Sequence, residues 1–176
     1  NATYTVRILQ PEDLTRFNCG SQRLTALDVS NCTALTELHC YNNQLSSLNV
    51  SNNTTLTMLS CEHNQLTSLD VSNNTELTEL SCGNNRLTSL DISNNTALTR
   101  LDYESNQLTS LDVSNCTVLE YLYCERNNLN AAALNDMFET LPDRQDTGGE
   151  ISIEDNPGSN DCNRNIAENK GWFIRD

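Results

Sequence analysis

The chain repeats itself every 21 residues. Residues 77–97 read LTELSCGNNRLTSLDISNNTA, residues 56–76 read LTMLSCEHNQLTSLDVSNNTE, and residues 98–118 read LTRLDYESNQLTSLDVSNCTV. The same frame fits residues 35–55 and, more loosely, 14–34; a further copy opens at Leu119 and decays after Leu129. A fixed period of this length marks a stacked-repeat architecture, in which each unit is a coil that cannot bury its apolar face without a neighbour. Aromatic residues make up only 5% of the chain. A conventional globular core is hard to build from that supply, whereas a solenoid needs only a few inward-pointing apolar side chains per coil.

Within each copy the spacing defines the coil. Leucine stands at positions one and four (Phe17 substitutes once), cysteine at six, asparagine at nine, leucine again at eleven and fourteen, Val or Ile at sixteen, and Asn or Cys at nineteen. Positions four and six are two apart, so both side chains fall on one face of an extended strand and position five falls on the other. Stacked coils pair these short strands in parallel, about 4.8 Å apart. The asparagines Asn43, Asn64, Asn85, Asn106 and Asn127, with Gln22 at the head of the column, sit where the chain turns. An amide side chain carries both donors and an acceptor for buried turn backbone, so an asparagine ladder is expected there. A second column at position nineteen serves the other turn.

Seven of the eight cysteines belong to the repeat frame: Cys19, Cys40, Cys61, Cys82 and Cys124 at position six, and Cys32 and Cys116 at position nineteen. They are expected to be reduced core thiols, since cysteine packs as a small hydrophobe. Only Cys162 lies outside the frame. The domain reading is a single solenoid over residues 1–176. Residues 1–13 hold an N-terminal cap strand in the alternating stretch 3–9, and residues 14–129 hold six repeats, the last partial. Residues 130–176 form an atypical coil and C-terminal cap. In that cap a helix of about ten residues spans NAAALNDMFETLP, a short strand spans 151–153, a final helix lies within 161–170, and Trp172, Phe173 and Ile174 cover the last coil.

The pattern L-x-x-L-x-C-x-x-N-x-L-x-x-L-D-V-S-x-N resembles a leucine-rich repeat. Its nested ten-plus-eleven period is similar to the 21-residue bacterial subclass called the IRREKO type, and the tail ISIEDNPG…C…IAENKGW resembles C-terminal segments of Bacteroidetes envelope or secreted leucine-rich repeat proteins. The resemblance implies an α/β fold: a right-handed solenoid of short parallel strands and turns, with little helix outside the C-terminal cap. It implies ligand binding, usually of protein, without catalysis, and residence outside the cell, at the bacterial surface or in the periplasm.

Net charge is −14, which disfavours nucleic acid and anionic membrane surfaces as partners, and no apolar run is long enough for membrane insertion. No cofactor is expected. The aspartates Asp28, Asp70, Asp91 and Asp112 form a column, but one carboxylate per coil is not a calcium cage. His39 and Cys40 point to opposite faces, and Cys61 points inward while His63 sits near the turn, so neither pair suits zinc.

Comparison of the copies with one another locates the candidate binding surface. In the second half of the repeat the outward positions barely vary. In the first half they differ in every copy, and a face that meets a particular partner has a reason to differ. The candidate partner-binding residues are Glu37, His39, Tyr41, Met58, Glu62, His63, Arg100, Asp102, Glu104, Tyr121, Tyr123, Glu125 and Arg126, weighted to the end holding Tyr121, Tyr123 and Arg126, since Tyr and Arg are enriched at binding hot spots. The expected function is recognition of a protein, or of a glycan, by a monomer. The alternatives are a passive spacer and a glycan-cleaving surface protein using Asp102 with Glu104 or Glu125 as acid and base.

Overall fold

The computed structural model describes the backbone of Thr5–Val6 and residues 13–175. Each repeat contributes one three-residue strand from its first half: β2 (Arg16–Asn18), β4 (Glu37–His39), β5 (Met58–Ser60), β6 (Glu79–Ser81), β7 (Arg100–Asp102) and β8 (Tyr121–Tyr123). From β4 through β7 the burial pattern is the same, a buried leucine between two half-buried residues, which is the alternation that the period-two spacing requires. Successive strands pair in parallel, residue i with residue i+21, without a register slip. A slip of one would turn the leucines Leu38, Leu59, Leu80, Leu101 and Leu122 to solvent, so burial of this column fixes the register. Each contributes on the order of 1.5–3 kcal/mol only because coils on both sides cover it.

The sheet does not stop with the repeats. Strands β9 (Gly149–Ser152) and β10 (Trp172–Arg175) extend it to eight strands in the order β10-β9-β8-β7-β6-β5-β4-β2. The fold is a leucine-rich repeat solenoid with a parallel sheet along one side. In the second half-coils, the only paired strand among the described residues is β3 (Ala26–Leu27), which pairs with β1 (Thr5–Val6) in a separate two-stranded sheet. Of the N-terminal strand expected over residues 3–9, only Thr5–Val6 is described, and the rest lies outside the described residues.

The two asparagine columns work differently. At position nine, Asn64 donates through Nδ2 to the carbonyls of Cys40 and Cys61, both at 3.0 Å, while its Oδ1 accepts from the Leu45 N–H at 3.0 Å. Asn43, Asn85, Asn106 and Asn127 repeat this pattern, and Asn156 extends the column into the cap by bonding Leu129, Cys124 and Ile153. Gln22 instead donates to the nearby Gly20 carbonyl, because its longer side chain folds back on its own turn. At position nineteen, Asn53, Asn74 and Asn95 each donate to two carbonyls, but their buried Oδ1 atoms accept nothing. Only a donor is needed there, and Cys116 supplies one, its thiol directed at the Asn95 carbonyl at 3.7 Å.

Past the repeats, α1 (Ala131–Thr140) is capped by the Asn130 side chain, which accepts from the Ala133 N–H at 2.9 Å, and it buries Leu134, Met137 and Phe138. The carbonyls of Glu139 and Leu141 at its other end accept from Lys170 Nζ, a cation where the helix dipole favours one. Tyr103, where the other copies have cysteine, is fully buried and directs its hydroxyl to Met137 Sδ at 3.5 Å. The helix expected within 161–170 is shorter than the spacing suggests: only α2 (Asn165–Glu168) forms. Trp172–Ile174 is a strand rather than a simple lid. Trp172 and Ile174 face inward and Phe173 faces out.

Candidate functional site

The outward side of the eight-stranded sheet carries two rows of side chains. Register places Glu37, Met58, Glu79, Arg100, Tyr121, Glu150 and Phe173 in one row, beginning at Arg16. The other begins at Asn18 and runs through His39, Ser60, Ser81, Asp102, Tyr123, Ser152 and Arg175. Beside them, at the strand ends, stand Tyr41, Glu62, Glu104 and Glu125. Beyond these the turn residues Ser21, Asn42, His63, Asn84, Ser105, Arg126 and Asp155 all adopt positive φ of 51–59°. Seven side chains of non-glycine type in this conformation follow from a coil that reverses direction at the same place each time.

The thirteen sequence-predicted residues fall into three groups along this surface. Glu37, His39 and Tyr41 lie near one end, and Met58, Glu62 and His63 lie in the next coil. Arg100, Asp102, Glu104, Tyr121, Tyr123, Glu125 and Arg126 gather in two adjacent coils at the other end. From β4 to β8 is four strand spacings, roughly 19 Å, so the terminal groups are separate patches. Glu150, Ser152, Phe173 and Arg175 share the same face, and the repeat frame did not find them. Their signal was the period-two alternation of Ile151 with Ile153 and of Trp172 with Ile174, which leaves the intervening residues outward.

Much of the variation between copies is matched between neighbours. Arg16 pairs with Glu37 at 2.7 Å, and His39 lies 3.7 Å from the same carboxylate. The Tyr41 ring lies flat on Gly20, where an added Cβ would come within 2.5 Å of Cζ. Glu104 likewise crosses Gly83, whose Cβ would stand 2.9 Å from Cγ. Arg126 bridges to Glu104 at 2.6 Å and to Ser105 Oγ at 2.8 Å. Arg100 lies over Tyr123, 4.6 Å from the ring centroid, and more loosely over Tyr121 at 5.8 Å. Part of the individuality of each copy therefore has a structural origin in its neighbour.

Burial perturbs two carboxyls of the C-terminal patch. Burial pushes the Asp102 carboxyl above its usual range, partly opposed by the Glu104 N–H that it accepts at 3.1 Å. Burial raises Glu125 as well, with the Glu104 carboxylate adding to the effect. On the second-half surface the opposite holds. Asp28, Asp70, Asp91 and Asp112 each accept from the serine two residues on, and these bonds hold their carboxyls below the usual range. The aspartate column is thus turn chemistry, each charge answered by a local N–H. Among the described residues no group of three or more His, Cys, Asp or Glu is placed to hold a metal ion, and no helix is long and apolar enough to cross a membrane.

Two aromatic side chains stay exposed despite these contacts. Tyr121 is 40% exposed and Phe173 67% exposed, and both stand on the outer face at its C-terminal end. They flank a cleft of about 270 Å³ lined also by Glu120, Thr147, Gly148, Gly149 and Glu150.

No family model and no curated protein matches the chain. Among solved structures it is similar to the functional domain of InlJ from Listeria monocytogenes, described as including a cysteine ladder. Identity is 32% over 93% of this chain and 39% of that one, with a TM-score of 0.66. A leucine-rich repeat protein of Leptospira interrogans shares 20% identity, covers 93% of this chain and 49% of its own, and superposes with a TM-score of 0.73. The internalin InlF of Listeria monocytogenes shares 24% identity over 84% of this chain and 45% of its own, with a TM-score of 0.68. The chain thus spans less than half the length of each of these structures.

Proposed function

We propose that this chain is a non-catalytic, monomeric recognition module of the bacterial surface or periplasm that binds a protein partner through the outer face of its eight-stranded sheet, at the C-terminal end. The observation that carries this reading is the pair of exposed rings, Tyr121 and Phe173, beside Arg100 and Tyr123 on a rigid strand scaffold. Exposed aromatic and arginine side chains grouped on one surface are what binding hot spots are made of. Both ends of the face carry internal pairings, but the exposed rings stand only at the C-terminal end among the described residues, which moves the weight away from the N-terminal patch. The likeness to leucine-rich repeat structures, internalins among them, supports a protein rather than a small molecule as partner, and the bacterial sources of those structures support the placement.

The test is capture by the immobilised chain from secreted and surface protein fractions, followed by variants. Tyr121→Ala combined with Phe173→Ala is expected to abolish capture while leaving Tm nearly unchanged, because neither ring is buried. Ser68→Ala with Ser89→Ala, on the uniform second-half surface, is expected to leave capture intact. Equal loss from both pairs overturns the assignment of the face. Capture of nothing favours the spacer reading.

A further inference from the structure

We propose that the cleft between Tyr121 and Phe173 seats a lysine or arginine side chain of the protein partner, its charged head on Glu150. This rests on the reading of the outer sheet face as the recognition surface. Register sets the geometry: Tyr121 pairs with Glu150 and Glu150 with Phe173. The two rings therefore rise from strands two spacings apart, roughly 9–10 Å, with Glu150 on the strand between them. A side chain entering between the two strands passes both rings, and a cation within about 6 Å of a ring face is attracted to it. The cleft is smaller than the ~300–1,000 Å³ typical of small-molecule sites, which suits one long side chain. Gly148 and Gly149 line it without side chains, and the Trp172 ring packs beneath Gly149 on the core side.

Glu150 already binds one guanidinium within the chain. Glu150 Oε2 holds the guanidinium of Arg175 at 2.7 Å, and its Oε1 accepts from the Tyr123 hydroxyl at 2.9 Å. Arg175 is more than half exposed and stands on the last strand, so an incoming cation displaces it into solvent at little cost. Glu120, on the cleft wall, is held by Arg144 at 3.1 Å, but that guanidinium is also shared with the carbonyls of Val118 and Leu119. A net charge of −14 on the whole chain steers a basic partner toward the surface.

The probes are N-acetyl-arginine methylamide, N-acetyl-lysine methylamide and the uncharged N-acetyl-norleucine methylamide, titrated by NMR. The two cations are expected to give saturable shifts at the Gly148 and Gly149 amides and the Phe173 ring, and norleucine none. Glu150→Gln and Phe173→Ala should each weaken cation binding about tenfold. Arg175→Ala should tighten it about threefold by removing the internal competitor. Norleucine binding as well as arginine, an unaffected Glu150→Gln variant, or no shift from either cation overturns the proposal. The protein-capture experiment does not depend on these probes, so a partner captured through Tyr121 and Phe173 keeps the broader reading even then.

Discussion

Asparagine at position nine and asparagine at position nineteen look alike in the sequence, and the structure predicts opposite responses to the same substitution. Replacing Asn64 by cysteine removes the acceptor that the buried Leu45 N–H uses and at least one of two donors to the Cys40 and Cys61 carbonyls. Those carbonyls each keep a second amide donor, from Asn43 and Asn85 respectively, so the main loss is the orphaned N–H. A buried unsatisfied group costs about 1–3 kcal/mol and each lost bond about 0.5–1.5 kcal/mol, which gives a total of roughly 2–5 kcal/mol for Asn64→Cys. Replacing Asn74 by cysteine removes an Oδ1 that is buried and accepts nothing, and keeps one donor toward the Asn53 carbonyl, as Cys116 does toward Asn95. The expected change is within about 1 kcal/mol. With a urea dependence of about 1–3 kcal/mol per molar, the two variants should differ in urea midpoint by at least about 0.3 M, and by about 1.5 M at the middle of these ranges. Equal midpoints, or an unharmed Asn64→Cys protein, would refute the distinction between a column that must accept and one that need only donate.

Two further predictions concern the core. Burial raises the thiols of Cys19 and Cys116 to about 11 and that of Cys124 to about 12, from an ordinary value of 9.0. Below pH 9 these thiols stay protonated in both states and do not affect stability. Above it the unfolded chain releases protons that the folded chain retains, so stability falls as pH rises from 9 toward 12. The Tm should be flat with respect to these groups between pH 7 and 8.5 and decline beyond, and a thiol reagent at neutral pH should label Cys162 well before the buried seven. A Tm that does not decline above pH 9, or uniform labelling, would count against the buried-thiol column. Tyr103→Cys restores the cysteine of the other copies, yet it should destabilise by roughly 2–4 kcal/mol, because a ring filling the space up to Met137 is replaced by a single sulfur. A neutral or stabilising result by urea denaturation would mean that the interior at this coil closes without the ring.

The 21-residue period by itself determined the coil, its inward leucines and cysteines, the parallel register and the outward alternation that names Arg100, Tyr121 and Tyr123. These follow from spacing because every copy has the same neighbours, so one copy's environment is the environment of all. Two things were decided only in three dimensions. One is the matching of adjacent copies, Tyr41 over Gly20 and Glu104 over Gly83, which is a relation between residues 21 apart that no single copy contains. The other is the last two strands. Their spacing obeys no repeat, and packing of α1, Trp172 and Ile174 against the final coil sets their register. That packing carries Glu150, Phe173 and Arg175 onto the face where the repeats had already placed Tyr121.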